Sequence, residues 1–140
     1  MLRKLSLVLL VGLFVAPMAA CGNRQGNLLQ EPAPIQIAGL DKTEVGKAVM
    51  RAVPRRGWVF LDKTGERIRA EYVHAKGHAA TIAIDYSGDA ILILYEDSVD
   101  LDYGTNEAGE TTIHRTYNSW VNYKRRDIAQ EIGQLRAESL

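Results

Sequence analysis

Cysteine and histidine are scarce in this sequence, which contains one cysteine, Cys21, and three histidines. A single cysteine excludes an intramolecular disulfide, so a folded domain here depends on its apolar core. The 17 basic and 17 acidic side chains balance, so no net field recruits nucleic acid. The G-x-S-x-G, H-E-x-x-H and phosphate-binding glycine motifs are absent. We therefore expect a non-catalytic protein without a cofactor.

The cysteine follows a segment with the features of a secretory signal. Arg3 and Lys4 precede an apolar run, 5–16, and small residues then lead through Ala20 to Cys21. The run, roughly a dozen residues long, is too short to cross a bilayer as a helix, which takes about 20 residues. This order is typical of bacterial lipoproteins, so we expect cleavage after Ala20 and lipidation of Cys21. A secreted protein cleaved nearby, with an unused thiol, is the alternative.

The predicted organisation is a signal peptide at 1–20, a lipidated tether at 21–34 and a single domain at 35–140. Cleavage leaves 120 residues (140 minus 20), enough for one ordinary domain. Gly22 follows the cysteine where inner-membrane lipoproteins commonly carry Asp. We therefore expect the lipid to hold the protein in the envelope, in the outer membrane facing the periplasm if the cell is Gram-negative, where another envelope protein is its expected partner.

Two segments have helical periodicity. Asp41 caps the first helix, predicted at 40–53, and Pro54 ends it. The second helix begins at Thr116 or Asn118 and ends near Leu135. The predicted buried faces are Val45, Ala48, Val49, Ala52 and Val53 in the first helix and Tyr117, Val121, Ile128, Ile132 and Leu135 in the second.

Between the helices the apolar period changes to two, which predicts strands. Four strands, at 58–61, 67–73, 79–86 and 90–95, are joined by short glycine-containing turns, and a short strand at 35–37 precedes the first helix. The segment 96–110 is predicted to be a solvated acidic loop. The expected fold is α+β, ordered β-α-β-β-β-β-α, an antiparallel sheet with both helices packed on one face.

Two groups of residues are candidate ligand sites. His74 and His78 flank a short turn and should face each other across a hairpin, where they form either half of a metal site or an exposed pair. No nearby third ligand accompanies them, so no metal site is assigned. His114 stands at the start of the second helix, near Tyr117, Asn118 and Trp120. These four residues either bind a small polar ligand, or His114 hydrogen-bonds the adjoining loop.

Two further groups lie on predicted surfaces. The basic residues Lys124, Arg125 and Arg126 wrap a helical turn and are predicted to be solvated, with phosphate or sugar contact as the alternative. Apolar residues stand on the otherwise polar face of the meander. This predicted partner surface consists of Val59, Leu61, Leu92 and Leu94.

Two stretches carry a resemblance. Lys76-Gly77-His78 leads to Ile84-Asp85-Tyr86, and Ile113-His114 leads through Tyr117-Asn118 and Trp120-Val121 to Asp127-Ile128. Together they resemble a group of small proteobacterial lipoproteins without an established biochemical role. The similarity covers about 45–128, implies the same lipidated start, and brings no known active site. In its size and predicted localisation the chain is also similar to small accessory lipoproteins of outer-membrane assembly.

Overall fold

A computed structural model describes residues 26–140, so the predicted signal peptide and Cys21 lie outside the described residues. This part of the chain contains eight strands and two α-helices. In chain order they are β1 (Asn27–Leu28), β2 (Ile35–Gln36), α1 (Lys42–Ala52), β3 (Val59–Thr64), β4 (Arg67–Val73), β5 (Ala79–Asp85), β6 (Ala90–Val99), β7 (Gly104–Thr105), β8 (Thr111–Ile113) and α2 (Arg115–Glu138).

The main sheet has five antiparallel strands in the order β2-β6-β5-β4-β3. The predicted meander is confirmed, and its register pairs Ile68 with Ile84 and Ile84 with Ile93. All three are buried, because alternate residues of each strand face the helices. Register shifts leave Leu61 and Glu96 as extra residues on β3 and β6, each a β-bulge.

Both predicted helices are present with the predicted buried faces. Asp41 caps α1, and its Oδ1 accepts a hydrogen bond from the N–H of Glu44 at 3.0 Å. The α2 helix begins at Arg115 with His114 as its N-cap. One hydrophobic core contains the buried faces of both helices and of the main sheet, which confirms the α+β fold.

A second sheet, ordered β1-β8-β7, was not predicted. β6 runs on to Val99, so its end and β7 lie in the segment expected to be a loop, and β8 directly follows that segment. β1 lies in the expected tether, yet Leu28 pairs with Thr112, so the described fold begins before Ile35. Strands of two or three residues are too short for periodicity to reveal, and their pairing depends on partners far along the chain.

A buried lysine joins the two helices. Lys124, predicted to be solvated, is fully buried in α2. Its Nζ donates hydrogen bonds to the carbonyl oxygens of Ala52, Val53 and Arg55 at 2.8, 2.9 and 2.9 Å. Burial lowers the pKa of Lys124 to about 8, against the opposing effect of Asp127. The ammonium thus caps the carbonyl end of α1, where the helix dipole favours a cation.

Candidate functional site

All three histidines of the sequence line one cavity of about 340 Å³. The histidines come from two separate segments, the β4–β5 turn and the start of α2, and the tertiary fold brings them together. We call this space the histidine cavity. Its lining residues are His74, Lys76, His78, Leu101, His114, Thr116 and Trp120.

The β4–β5 turn holds two of the imidazoles. The N–H of His74 donates to the carbonyl oxygen of His78 at 2.8 Å, and Gly77 turns the chain at a φ of +88°. The two ring centroids are 6.3 Å apart, so the predicted facing pair is present. Nδ1 of His78 lies 2.7 Å from the carbonyl oxygen of Asp100 and must donate to it. Nε2 of His78 is therefore the nitrogen available to a ligand.

The third imidazole caps α2. The N–H of Thr116 donates to Nδ1 of His114 at 3.2 Å, and the N–H of His114 donates to the carbonyl oxygen of Leu101 at 2.7 Å. Because Nδ1 accepts, the neutral ring carries its proton on Nε2. The hydrogen bond to the adjoining loop that the sequence suggested is made by the backbone N–H of His114, whereas its ring caps α2 and lines the cavity.

Trp120 forms an aromatic wall of the histidine cavity. Its ring stacks on that of His74, with centroids 6.1 Å apart and planes at 23°. On the other side it meets Tyr72 edge to face at 4.7 Å, and Tyr72 contacts the buried Trp58. These aromatic contacts connect Trp120 to the core, so its ring is held in place before any ligand binds.

The structure divides the four residues predicted to bind a ligand at the start of the second helix. His114 and Trp120 line the histidine cavity, whereas Tyr117 is buried in the core and packs against Tyr95. Burial raises the pKa of the Tyr117 hydroxyl. Asn118 holds β1 instead, donating to the carbonyl oxygen of Leu28 at 2.8 Å. Asn118 follows Tyr117 by one position and precedes Trp120 by two, so its side chain faces away from both.

The lining of the histidine cavity favours negative charge. It contains three imidazoles and the Lys76 ammonium, and no carboxylate is among the lining residues. The positive end of the α2 dipole also lies at His114. Within residues 26–140 no group of three His, Cys, Asp or Glu side chains is placed to hold a metal ion. The chemistry of the cavity is that of an anion site.

The predicted partner surface lies on the face of the main sheet that points away from the helices. Leu92 pairs with Asp85 and Leu94 with Ala83, so both leucines share this outer face with the charged residues of β4. Leu92 is 40% exposed. Val59 lies on the same face but on β3, at the opposite edge of the sheet, and Leu61 is a bulge residue.

An ion-pair network separates the two halves of the predicted partner surface. Arg69 Nε lies 2.6 Å from Glu96 Oε2, and Arg69 Nη1 lies 2.7 Å from Asp62 Oδ2. Arg67 joins the same Glu96 at 3.1 Å. The hydrogen bond from Arg69 lowers the pKa of Glu96, against the opposing effect of burial. The four apolar residues therefore form two patches rather than one continuous surface.

Comparison with protein-family models, curated proteins and solved structures finds no match to this chain. No helix in the described residues 26–140 combines the length and the apolarity needed to cross a bilayer. The case for a function therefore depends on the residues and their geometry.

Proposed function

We propose that this chain is a non-catalytic envelope lipoprotein whose domain binds a small anionic ligand in the histidine cavity. The anchoring is supported by the basic, apolar and small-residue segments that precede Cys21, and by the resemblance to small lipoproteins. The membrane is the outer one, on its periplasmic side, if the cell is Gram-negative. Cys21→Ser should abolish palmitate labelling and release the protein to the soluble fraction, and labelling that persists would refute the anchor.

One observation carries the ligand-binding proposal. The only three histidines of the chain, from segments about 40 residues apart, surround one cavity with a lysine and no carboxylate. Each imidazole uses Nδ1 in a hydrogen bond within the protein, which leaves its Nε2 for a ligand. Rings oriented in this way are pre-organised, so less side-chain entropy is lost on binding.

The lining indicates the kind of ligand. Nε2–H of His74 and of His114 are donors in the neutral rings, and Lys76 adds a full positive charge. A carboxylate or phosphate group satisfies these donors. The Trp120 ring adds apolar surface to the cavity lining. A small anion with an apolar part fits both features.

Binding is tested with two probes, inorganic phosphate and benzoate, added to the purified protein. We expect the imidazole NMR signals of all three histidines to shift together with one dissociation constant. Lys76→Gln should weaken binding about tenfold or more, as expected for the loss of a charge-assisted hydrogen bond of about 1.5–3 kcal/mol. Lys63→Gln is the matched control, because Lys63 is exposed on β3 outside the cavity. Unshifted histidine signals with both probes would refute the proposal.

A second candidate function is binding of another envelope protein through the outer face of the main sheet. It is favoured by Leu92, which is exposed beside the half-buried Leu94 on the face that carries the ion-pair network. The double change Leu92→Ser, Leu94→Ser should abolish crosslinking to the partner in intact cells and leave the domain folded. Val59→Ser, at the other edge of the sheet, is the control that should retain the crosslink. Unfolding of the double variant would assign both leucines to the core.

A further inference from the structure

The chain enters the described structure beside one exposed strip of α2. The Asn118 side chain binds β1 there: Nδ2 donates to the carbonyl oxygen of Leu28 at 2.8 Å, and Oδ1 accepts from the N–H of Gln30 at 3.0 Å. Leu28 is 46% exposed. Further along α2, Tyr123 and Arg126 line a cavity of about 290 Å³ together with Gln30. We call Leu28, Tyr123 and Arg126 the entry strip.

The entry strip combines an exposed aromatic ring with cations. Tyr123 is 44% exposed, and the guanidinium carbons of Arg56 and Arg126 lie 5.1 and 5.5 Å from its ring centroid. An amphipathic ring of this kind is favoured at the boundary between acyl chains and headgroups. Arginine side chains pair with phosphate groups at the same depth. The strip therefore suits the surface of a phospholipid bilayer.

Chain length limits the distance between this strip and the predicted anchor. Six residues separate Cys21 from Asn27 (27 minus 21), a span of at most about 22 Å when fully extended. From Asn118 to Arg126 is eight residues (126 minus 118), about 12 Å along the helix. A tether over all of 21–34, as expected from sequence, would span more than twice the distance available between Cys21 and Asn27. Because β1 is paired in the second sheet, only the shorter span separates the anchor from the domain.

We propose that the lipid-anchored protein lies with its entry strip against the bilayer, with Tyr123 at the interface and Arg126 on a lipid phosphate. The occupant of the strip is the phospholipid surface that holds the anchor. This orientation rests on the proposed lipidation of Cys21. It holds the domain at the membrane rather than at the end of a long tether.

The orientation is tested by fluorescence quenching of the lipidated full chain in vesicles of phosphatidylethanolamine with a minority of phosphatidylglycerol. Lipidation consumes the only native thiol, so an introduced cysteine labels selectively. A probe at Ser119→Cys, on the exposed strip of α2, should be quenched by headgroup-nitroxide lipids and emit at shorter wavelength. The control is Thr64→Cys, which is exposed on the outer face of the main sheet and should show neither effect. Arg126→Glu should lower the surface affinity of the strip at least about fivefold, because each arginine near an anionic leaflet contributes about that factor.

Equal quenching at the two positions, or stronger quenching at Thr64, would overturn the orientation if mass spectrometry shows acyl chains on Cys21. Absence of acyl chains on Cys21 in protein purified from the envelope would instead overturn the lipoprotein proposal, and the orientation with it. The acylation measurement therefore separates failure of the anchor from failure of the orientation.

Discussion

Replacing the buried Lys124 with methionine should destabilise the domain, although the exchange removes a charge from the core. The carbonyl oxygens of Ala52, Val53 and Arg55 each accept from its ammonium group and would lose that donor. A buried polar group left unsatisfied costs about 1–3 kcal/mol, whereas the desolvation of the ammonium is recovered. The three carbonyl oxygens remain buried after the exchange, so the cost of leaving them without a donor should outweigh the recovered desolvation energy of the ammonium. We expect Lys124→Met to cost about 2–3 kcal/mol, or roughly 10 °C in Tm.

The effect of pH identifies the mechanism. Burial lowers the pKa of Lys124 from 10.5 to about 8 in the folded protein. Between these two values the unfolded chain binds more protons than the folded one, so the Lys124 contribution to stability rises with pH and is constant below the folded pKa. The wild-type advantage over Lys124→Met should therefore grow from about pH 8 to pH 10. Tyr117, whose pKa burial raises, lowers the stability of both proteins at higher pH because the unfolded chain ionises first, so its effect cancels in their difference.

Urea unfolding at several pH values between 7 and 10 measures both effects. Lys47→Met is the matched control, because Lys47 is exposed on α1 and its ion pair with Glu44 is exposed too. It should change the free energy of unfolding by less than about 0.5 kcal/mol. If Lys124→Met unfolds at the same urea concentration as the wild type, the capping role of Lys124 is refuted. A constant difference across this pH range would refute its lowered pKa.

Three further predictions follow from the packing and the hydrogen bonds. Arg69 lowers the pKa of Glu96, so the contribution of ionised Glu96 to stability is full above about pH 4.5 and is lost as the pH falls further. Glu96→Gln should therefore lower the free energy of unfolding by about 1 kcal/mol at pH 7 and reduce the dependence of stability on pH in acid. A Cβ at Gly46 would lie 2.7 Å from the hydroxyl of the buried Tyr86, so Gly46→Ala should cost about 1–3 kcal/mol in denaturant unfolding. Asn118→Ala removes both side-chain hydrogen bonds to the β1 segment, so it should speed proteolysis near residues 28–30 while α2 stays folded.

Two of these predictions have matched helical controls, both in α2. A Cβ at Gly133 of α2 meets no atom within 4 Å, so Gly133→Ala should stabilise the helix by about 0.5–1 kcal/mol. Asn122 donates only to the carbonyl oxygen of Asn118 one turn earlier, so Asn122→Ala should leave β1 protected. Destabilisation by Gly133→Ala, or equal proteolysis of the two asparagine variants, would contradict these explanations. An acid branch that Glu96→Gln leaves unchanged would contradict the Arg69 pairing.

Local signals in the sequence were sufficient to predict the two helices and the four strands of the meander. The cap at Asp41 and the stop at Pro54 act within a few residues, and a buried face repeats every 3.6 residues whatever packs against it. The bounds of β4 were predicted to the residue because alternation and the glycine turns on both sides are local too. Interactions between neighbours in sequence therefore determined the order of the helices and the meander strands and the face that each one buries.

The candidate sites depended on contacts between residues distant in sequence. His114 lies 36 residues beyond His78 (114 minus 78), and Lys124 reaches a carbonyl 72 residues earlier in the chain. Their side chains have the same local pattern as solvated residues, so periodicity assigns them to the surface. Only closure of the sheet and helices around one core places the histidines on a common cavity and the lysine at the end of α1. The sequence alone determined the two helices and the meander, whereas tertiary packing decided the short strands of the second sheet and which polar side chains meet.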